Sequence, residues 1–423
     1  MVFYFLNVNL MAFSRKNCLQ LIFLIAFWGG GIKMIKAQSS DSDEIILQND
    51  NPFYIETEVM LGKLIPVYPN YPSSSLQKSI FFNFGNYNNS PKNPWASFYK
   101  RPFTGTSIAI SDFGNRSVFG YGISILPYVI FHTPKLDRPA WHFKFGLGAS
   151  FYTKTFDQNT NPENESVSSP YTWAFKLFIY RDVLVRPRMR LKIGTGWLHG
   201  SNGHTELPNF GINSAMLSIA AQFYKQPVDW GFASAKNEEL TITKKKEYFF
   251  LFRTGLGVHE LGGPSGPVGG PKKFIHVYSA SAGKIVKDFI KLRVGLVYRY
   301  YDHFHDFIVE NALSEFNDQP TWNASNINLF FGSEFLMGHF SLDAELGFNL
   351  FKPFYQEQYR RFEKQSDVER ILKTILSQRL GLNYYFINTN KKPIHNFNIG
   401  FHINANFGQA DFTELSLAYT YRL

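Results

Sequence analysis

A histidine and a serine two positions apart are the residues best suited to chemistry in this sequence. His199 and Ser201 belong to the run His199-Gly200-Ser201-Asn202-Gly203. Residues two apart in an extended strand project from the same face, with Cα atoms roughly 6.5 Å apart. A serine hydroxyl becomes a good nucleophile when a neighbouring imidazole accepts its proton. The pair therefore predicts attack of Ser201 on an acyl group, with His199 as the base.

The residues that follow supply an orienting group for the base. If 202–212 is a hairpin loop, the strand 213–225 returns beside 189–201 and brings Asn213 opposite His199. The carboxamide oxygen of Asn213 would accept the second imidazole N–H and fix its tautomer, as the third member of a catalytic triad does.

The oxyanion of the tetrahedral intermediate needs hydrogen-bond donors close to the nucleophile. Asn202 and the backbone N–H groups near Gly203 follow Ser201 directly. We therefore predict a catalytic set of His199, Ser201 and Asn213, with Asn202 and Gly203 stabilising the oxyanion and no metal.

The three catalytic candidates share the apolar face of their strands. Leu191, Ile193 and Trp197 have the same parity as His199 and Ser201, whereas the opposite parity carries Arg190, Lys192 and two glycines. On the returning strand, Asn213 has the parity of Ala215, Leu217 and Ile219. If the strands belong to a membrane barrel, the set lies on the lipid-facing side, which suits an enzyme whose substrate is a lipid.

The motif closely resembles one family of membrane enzymes. His-x-Ser-Asn at 199–202, followed by Pro-Asn-x-Gly-Ile at 208–212, is similar to the lipid A 3-O-deacylases (PagL type). The stretch 95–131, with Trp95, Asp112-Phe113-Gly114-Asn115 and Gly120, also resembles larger acyloxyacyl hydrolase-like barrels of this group. The resemblance implies an active site on the outside of an outer-membrane barrel and hydrolysis of a fatty acyl ester of lipid A.

One position departs from that family. The deacylases carry a catalytic Glu where this chain has Asn213, and a neutral amide does not compensate an imidazolium as a carboxylate does. The outer-membrane phospholipases A have a similar His-x-Ser-Asn-Gly motif with Asn as the third member, so the resemblance to them makes the set workable. Glu206, in the loop, is a weaker candidate for the missing carboxylate.

Composition and alternation indicate the fold. Aromatic residues make up 17% of the chain, with 44 Phe and 23 Tyr, whereas charged residues make up 18%. Mean hydropathy is only −0.19, so the apolar residues are dispersed. Period-two alternation recurs, as in 141–153, 292–300 and 340–350, with glycines and charges on the second face. We predict an all-β protein, a transmembrane antiparallel β-barrel of about 12–14 strands.

Further strand candidates extend along the whole chain and end in an alternating apolar carboxy terminus. No domain boundary is evident between them. Residues 355–378 contain apolar positions among charges and predict a short helix in a loop. The remaining strand candidates are 55–68, 78–86, a hairpin within 106–131, 171–185, 189–201, 213–225, 247–258, 325–336, 372–387, 395–407 and 415–423.

The amino terminus has the pattern of a secretory signal peptide. Arg15 and Lys16 precede an apolar stretch that is too short to remain as a membrane anchor, and Ala37 precedes a polar segment. We predict a signal peptide at 1–37, an outer-membrane barrel at 38–423, and integral localisation in the bacterial outer membrane. The single cysteine, Cys18, lies within the signal, which excludes disulfides and thiol chemistry after residue 37.

Charge excludes one class of partner. Removing the four basic residues of 1–37 from the formal net charge of +10 leaves +6, too dilute for nucleic-acid binding. The predicted partners are a lipid substrate and the membrane, and the oligomeric state stays open.

Three other polar or flexible segments have simpler interpretations. The glycine-rich segment 262–271 lacks the Gly-Lys-Ser/Thr of a phosphate loop and predicts a flexible loop. The group Asp302, His303, His305 and Asp306 fits no strong metal template. Lys244-Lys245-Lys246 suits an exposed loop end or contact with lipid phosphates.

Three functions follow in order of preference. The first is a serine esterase that removes a fatty acyl chain from lipid A or a related outer-leaflet lipid. The second is a phospholipase A with the same residues. The phospholipase resemblance raises a calcium requirement, for which no ligands can be named, so no cofactor is predicted. The third is a non-enzymatic porin or scaffold barrel, which a lumen filled by Arg190, Lys192, Arg293 and Glu345 would disfavour.

Overall fold

The computed structural model describes residues 51–90, 92–133, 140–228, 247–362 and 366–423. The signal peptide predicted at 1–37 and the lysines at 244–246 lie outside these residues. The described chain is dominated by sixteen antiparallel strands, which are β1 (Phe53–Leu64), β2 (Gln77–Tyr87), β3 (Phe103–Asp112), β4 (Tyr121–His132), β5 (Trp141–Tyr152), β6 (Tyr171–Arg186), β7 (Met189–Ser201), β8 (Ile212–Tyr224), β9 (Glu247–Glu260), β10 (Lys272–Val286), β11 (Ile290–Tyr301), β12 (Ser325–Met337), β13 (Phe340–Phe351), β14 (Leu376–Tyr385), β15 (His395–Asn406) and β16 (Gln409–Arg422).

The strands close into two barrels of eight. Strand β1 pairs with both β2 and β8, which closes barrel 1, and β9 pairs with both β10 and β16, which closes barrel 2. The predicted fold class, an antiparallel β-barrel of the outer-membrane type, is confirmed. The sequence predicted about 12–14 strands in one barrel, whereas the structure has sixteen in two. Alternation is a local property, and it does not reveal which strand closes the ring.

Alternation places apolar side chains outside and polar ones inside. In β2, Ile80, Phe82 and Phe84 are exposed, whereas Ser79 and Asn83 are buried in the lumen. The closed rings leave no unpaired strand edge, so every strand satisfies its backbone hydrogen bonds within its barrel, as a bilayer requires.

Barrel 1 has a lumen filled by charged side chains from different strands. Glu58 of β1 lies 2.7 Å from Lys176 Nζ and accepts a 2.7 Å hydrogen bond from Ser218. Lys192 binds Glu56, and Arg190 lies 3.4 Å from Asp182. Below the site end, the lumen retains a cavity of about 30 Å³. One water molecule needs about 10–15 Å³, so a cavity of this size holds about two waters, too few to form a continuous channel along the barrel.

Barrel 2 is filled in the same way. Arg293 lies 2.7 Å from Asp343, Arg379 lies 3.1 Å from Glu414, and Arg253 binds Glu345. The four side chains singled out in the sequence are each at most 6% exposed, namely Arg190, Lys192, Arg293 and Glu345. Their burial disfavours an open pore through the described part of either barrel.

Five short helices occur in the connections. They are α1 (Pro94–Phe98), α2 (Asp302–Glu310), α3 (Pro320–Asn323), α4 (Tyr355–Phe362) and α5 (Asp367–Ile375). The helix predicted within 355–378 is confirmed as α4 and α5, which precede β14. None of the described helices is long and apolar enough to cross a membrane.

Strand β10 was missed by the sequence analysis. Its sequence includes the run Ser279-Ala280-Ser281-Ala282-Gly283, in which both faces carry small residues, so alternation is weak. Backbone pairing with β9 over 272–285 and with β11 over 275–286 forms the strand despite this weak alternation.

Candidate active site

The imidazole of His199 is held by Asn213 on the outside of barrel 1. Strands β7 and β8 pair so that His199 lies directly opposite Asn213. His199 Nδ1 and Asn213 Oδ1 are 2.9 Å apart, the distance of a hydrogen bond. The ring also stacks on Trp197, with centroids 5.1 Å apart. The side chain of His199 therefore has a fixed orientation, in which Nδ1 is bonded to Asn213 and Nε2 is the ring nitrogen available to a second partner.

Gly211 makes this arrangement sterically possible. Its φ of +76° is one that residues with a Cβ rarely adopt, and a Cβ there would lie 2.8 Å from His199 Cε1. The backbone that leads into β8 can therefore pass close to the imidazole only with glycine at this position.

Ser201 projects from the same outward face as His199, at the end of β7. It is 4% exposed. Its Oγ accepts a 3.0 Å hydrogen bond from Asn209 Nδ2 and a 3.3 Å hydrogen bond from the backbone N–H of Gly203. Among the described residues, no hydrogen bond joins Ser201 to His199. Catalytic hydrogen bonds are often long in enzymes without substrate, so this geometry does not exclude the pair.

Asn202 and Gly203 occupy different positions relative to Ser201. The side-chain amide of Asn202 donates to the carbonyl of Glu206 at 2.7 Å, whereas its backbone N–H donates to Asn209 Oδ1 at 3.2 Å. The backbone N–H of Gly203 points to Ser201 Oγ. Gly203 is therefore the better placed of the two predicted oxyanion donors.

Asn209 is a polar residue of the site that the sequence analysis did not assign. Its side chain contacts both Ser201 Oγ and the backbone N–H of Asn202. The Pro-Asn pair at 208–209 was part of the family-like motif, which was the available signal. The loop that brings Asn209 back onto Ser201 is not visible from strand periodicity.

Glu206 does not supply the carboxylate that Asn213 lacks. Its Oε2 lies 2.8 Å from Lys272 Nζ at the partly exposed contact between the barrels.

Barrel 2 braces the loop 202–211. Leu207 N–H donates to Glu260 Oε2 at 2.8 Å, and Asn209 N–H donates to the carbonyl of Pro264 at 2.7 Å. His204 Nε2 lies 3.2 Å from the carbonyl of Gly262. The carbonyl can only accept, so Nε2 carries a proton and donates this hydrogen bond, and burial lowers the pKa of His204. Because Asn209 contacts Ser201, these contacts from barrel 2 extend to the serine predicted as the nucleophile.

The neighbouring strand β6 also contacts barrel 2. Trp173 lies opposite Ser201, donates from Nε1 to Thr413 Oγ1 at 2.9 Å, and stacks on Phe401 with centroids 4.5 Å apart. A Cβ on Gly203 would lie 2.4 Å from Thr413 Oγ1, so barrel 2 also approaches the loop backbone closely. Barrel 2 therefore covers the β6 side of the site.

The other side of the site is an apolar lipid-facing surface. Leu217 and Ile219 of β8 are 67% and 59% exposed, and Leu61 of β1 is 49% exposed. The approach to the site from lipid is thus over β8 and β1.

The histidines and aspartates at 302–306 make ordinary polar contacts in and around α2. Asp306 binds Lys273 and lies 3.2 Å from His305, and Asp302 lies 3.4 Å from His276. The described residues contain no cluster of three or more His, Cys, Asp or Glu that could hold a metal ion. The glycine-rich segment 262–271 connects β9 to β10 and contacts the loop 202–211.

Two family models match different parts of the chain. Residues 75–222 match the family described as lipid A 3-O-deacylase (PagL), and residues 248–423 match the acyloxyacyl hydrolase C-terminal domain. The first match covers β2–β8 of barrel 1 without β1, and the second covers the strands of barrel 2. A comparison with curated protein sequences finds no match.

Solved structures of outer-membrane proteins are similar to this chain only at low identity and low TM-score. The outer membrane enzyme PagL is 15% identical, over 39% of this chain and 97% of that chain, with a TM-score of 0.29. An outer membrane channel from Pseudomonas putida F1 is 8% identical, over 91% and 100%, with a TM-score of 0.17. The channel DcaP of Acinetobacter baumannii is 9% identical, over 88% and 96%, with a TM-score of 0.17.

Proposed function

We propose that this outer-membrane barrel protein, whose two halves match the lipid A 3-O-deacylase (PagL) and acyloxyacyl hydrolase C-terminal families, removes a fatty acyl chain from lipid A or a related outer-leaflet lipid by serine catalysis. Ser201 is the nucleophile, His199 is the general base and acid, and Asn213 orients His199. The observation that carries the proposal is the 2.9 Å contact between His199 Nδ1 and Asn213 Oδ1, on the same lipid-facing surface as Ser201.

The orientation of His199 determines its chemistry. Asn213 Oδ1 is an acceptor, so Nδ1 carries the proton and Nε2 has the free lone pair. Nε2 takes the Ser201 proton as Oγ attacks the ester carbonyl carbon. The resulting oxyanion is stabilised by the backbone N–H of Gly203, and His199 then protonates the departing alcohol oxygen. Water attacks the acyl-enzyme by the reverse proton transfers, which releases the fatty acid and restores Ser201.

The amide at 213 has a cost for this mechanism. When Nε2 is protonated, the imidazolium is compensated by a dipole rather than by a full negative charge. The Asn213 oxygen still fixes the tautomer, which is one of the two tasks of a third triad member. The proposed enzyme is therefore slower than one with a carboxylate at this position.

The arrangement of the ends of barrel 1 supports access to outer-leaflet lipid. Within barrel 1, the four connections at the site end, 65–76, 113–120, 153–170 and 202–211, contain 48 residues in total, whereas the three at the other end, 88–102, 133–140 and 187–188, contain 25. The link 225–246 to barrel 2 also leaves from that other end. Outer-membrane barrels have long extracellular loops and short periplasmic turns. Ser201 then lies near the outer rim, where lipid A is found.

Mass spectrometry of lipid products tests the proposal. Purified protein is incubated with lipid A and with phospholipids, beside its Ser201→Ala variant. We expect loss of one acyl chain from lipid A with the wild type and none with the variant, while heat-modifiable migration shows that both barrels are folded. Equal products from the two proteins, or none from either, would overturn the proposal.

The second candidate, a phospholipase A, is favoured by one observation. The contact partner of His199 is an amide, which is the third residue that the phospholipase motif carries. Release of fatty acid from phospholipids but not from lipid A, and loss of activity on addition of a calcium chelator, would favour this alternative.

A further inference from the structure

Two lysines lie on the outward surface of barrel 1 beside the proposed active site. Lys63 of β1 is directly opposite Ala215 of β8, which is itself opposite Trp197 of β7. Two strand spacings therefore separate the backbones at Lys63 and Trp197, about 10 Å. Lys78 of β2 lies opposite Leu61, two residues before Lys63. Both lysines are on the flank that barrel 2 leaves open.

Neither lysine is neutralised by a neighbouring acid. The residue opposite Lys78 on β3 is Asp112, but that carboxylate binds Arg116 at 2.8 Å and accepts the Gly114 N–H at 3.0 Å. In the part of the chain that the structure describes, no ion pair or hydrogen bond involves the ammonium group of Lys63 or Lys78. Both side chains are exposed.

The surroundings of these lysines are apolar. Leu61, Ile80 and Leu217 project from the same surface and are each between 47% and 67% exposed. A cation on a lipid-facing surface is costly unless it lies near the interface and its long side chain reaches polar headgroups. Lys63 is the next-to-last residue of β1, and Lys78 is the second residue of β2, so both lie at the site end of their strands. From there their long side chains can reach the level of the lipid headgroups. An anionic group at that level would provide the missing counter-charge.

We propose that Lys63 and Lys78 form a subsite for the phosphate groups of the lipid substrate. The inference rests on the proposed function, because it places the headgroup relative to Ser201. Trp173, Thr413 and Phe401 close the β6 side of the nucleophile, so a lipid whose ester lies at Ser201 must extend its headgroup over β8 towards β1 and β2. The two ammonium groups bind the phosphates there and add to the affinity for the lipid.

Substrates that differ only in phosphate test this subsite. Hydrolysis of a phosphorylated lipid A and of its dephosphorylated counterpart is compared for the full chain and for Lys63→Gln, Lys78→Gln and the double variant. We expect KM for the phosphorylated lipid to rise about fivefold for each lysine removed, with kcat unchanged. KM for the dephosphorylated lipid should not change, and high salt should shrink the difference because it screens exposed charges.

Lys154→Gln is the matched control. It removes an exposed lysine from the loop that follows β5, at the same end of barrel 1 but on the other flank. KM should match the wild type for both lipids. A double variant that binds phosphorylated lipid as well as the wild type, or that loses the same factor on both lipids, would overturn the subsite.

Binding to an inactive protein separates this inference from the proposed function. In a Ser201→Ala background, Kd for the phosphorylated lipid is measured with and without the two lysines. A higher Kd without the two lysines supports the subsite, even if the wild type hydrolyses neither lipid. Absence of hydrolysis would contradict only the proposed function. An unchanged Kd would overturn the subsite. Competition by inorganic phosphate that depends on the lysines would show that phosphate alone suffices, and its absence beside a changed Kd would assign recognition to the lipid headgroup.

Discussion

The two barrels are built alike but differ in two hairpins, the one that follows Ser201 in barrel 1 and the one that follows Phe401, the stacking partner of Trp173, in barrel 2. In barrel 1, ten residues join β7 to β8, and the outward residues before this loop are Trp197, His199 and Ser201. In barrel 2, two residues with positive φ, Phe407 and Gly408, join β15 to β16. The outward residues before that tight turn are Phe401, Ile403 and Ala405.

Because of this difference, barrel 1 carries the proposed active site, whereas barrel 2 supports the loop 202–211 beside it. A tight turn cannot fold back over its own strand, whereas the longer loop returns Asn209 to Ser201 and presents the Gly203 N–H. A loop of that length also has backbone groups without strand partners. Barrel 2 satisfies two of them, through Glu260 and Pro264.

The largest expected effect separates the barrels by their histidines. His199→Ala removes the base, and we expect kcat/KM to fall by about 10⁴-fold or more. His276→Ala is the counterpart in barrel 2, where the ring is also outward-facing and lies 3.4 Å from Asp302. It should leave the rate of acyl release within about twofold, because it lies outside the proposed site. A comparable loss of kcat/KM in both variants would contradict the placement of the active site on barrel 1 alone.

The next effect concerns the third member of the set. Asn213→Ala leaves His199 Nδ1 without its acceptor, and kcat should fall about 10- to 100-fold. Asn213→Asp replaces the dipole with a charge that compensates the imidazolium, so kcat should rise about tenfold, since charge-assisted hydrogen bonds are roughly twice as strong. Steady-state kinetics on micellar lipid check both. An Ala variant as fast as the wild type would remove Asn213 from the mechanism.

A smaller effect tests the bracing by barrel 2. Glu260 uses separate oxygens for the N–H groups of Leu207 and Gly270, at 2.8 and 2.6 Å. Glu260→Gln turns one acceptor into a donor, and kcat should fall about tenfold. KM should be unchanged because lipid does not contact Glu260, and labelling of Ser201 by a fluorophosphonate should slow in parallel.

Lys272→Gln is the control for that experiment. It removes only the exposed pair with Glu206, in which the side chains are 48% and 35% exposed. Such pairs contribute about 0–1 kcal/mol, so labelling should stay close to the wild-type rate. Equal slowing in Glu260→Gln and Lys272→Gln would show a general loosening rather than positioning.

A weaker contact lies between Trp173 and Thr413. Thr413→Val keeps the shape of the side chain but removes the acceptor of the Trp173 N–H. We expect fluorophosphonate labelling to slow by about threefold, the value of one neutral hydrogen bond. Thr413→Ser retains the hydroxyl and should restore the rate. Failure of serine to rescue would assign the effect to packing.

The smallest expected effect is shared by both barrels. Their lumens are filled by buried ion pairs, so planar bilayers that contain the protein should show no more steady ion conductance than protein-free bilayers. A stable open conductance would contradict the filled lumens and favour the porin interpretation.

Sequence reasoning succeeded where the signal was local. Alternation located most strands, and parity with a hairpin loop placed Asn213 opposite His199 on the outward face, which the register shows. The catalytic roles of these residues stay predictions. The division into two barrels was not predictable, because β1 closes on β8 through pairing that no local pattern encodes.

The missed site residues have the same origin. Asn209 reaches Ser201 through the path of a loop, and Glu260 reaches Leu207 across the contact between two barrels. Both depend on tertiary position, and a single sequence contains no periodic signal for either.

Closure of each barrel by its own first and last strand has a consequence for biogenesis. The acids and bases in the lumen of barrel 1 come from distant strands, as with Glu58 of β1 and Lys176 of β6, and they meet only when that ring is complete. All of its strands precede β9 in the chain. Barrel 1 can therefore hide its charges from the hydrocarbon without waiting for the later half of the chain. The loop 202–211, which follows Ser201, gains its hydrogen bonds to Glu260 and Pro264 only when barrel 2 is also in place.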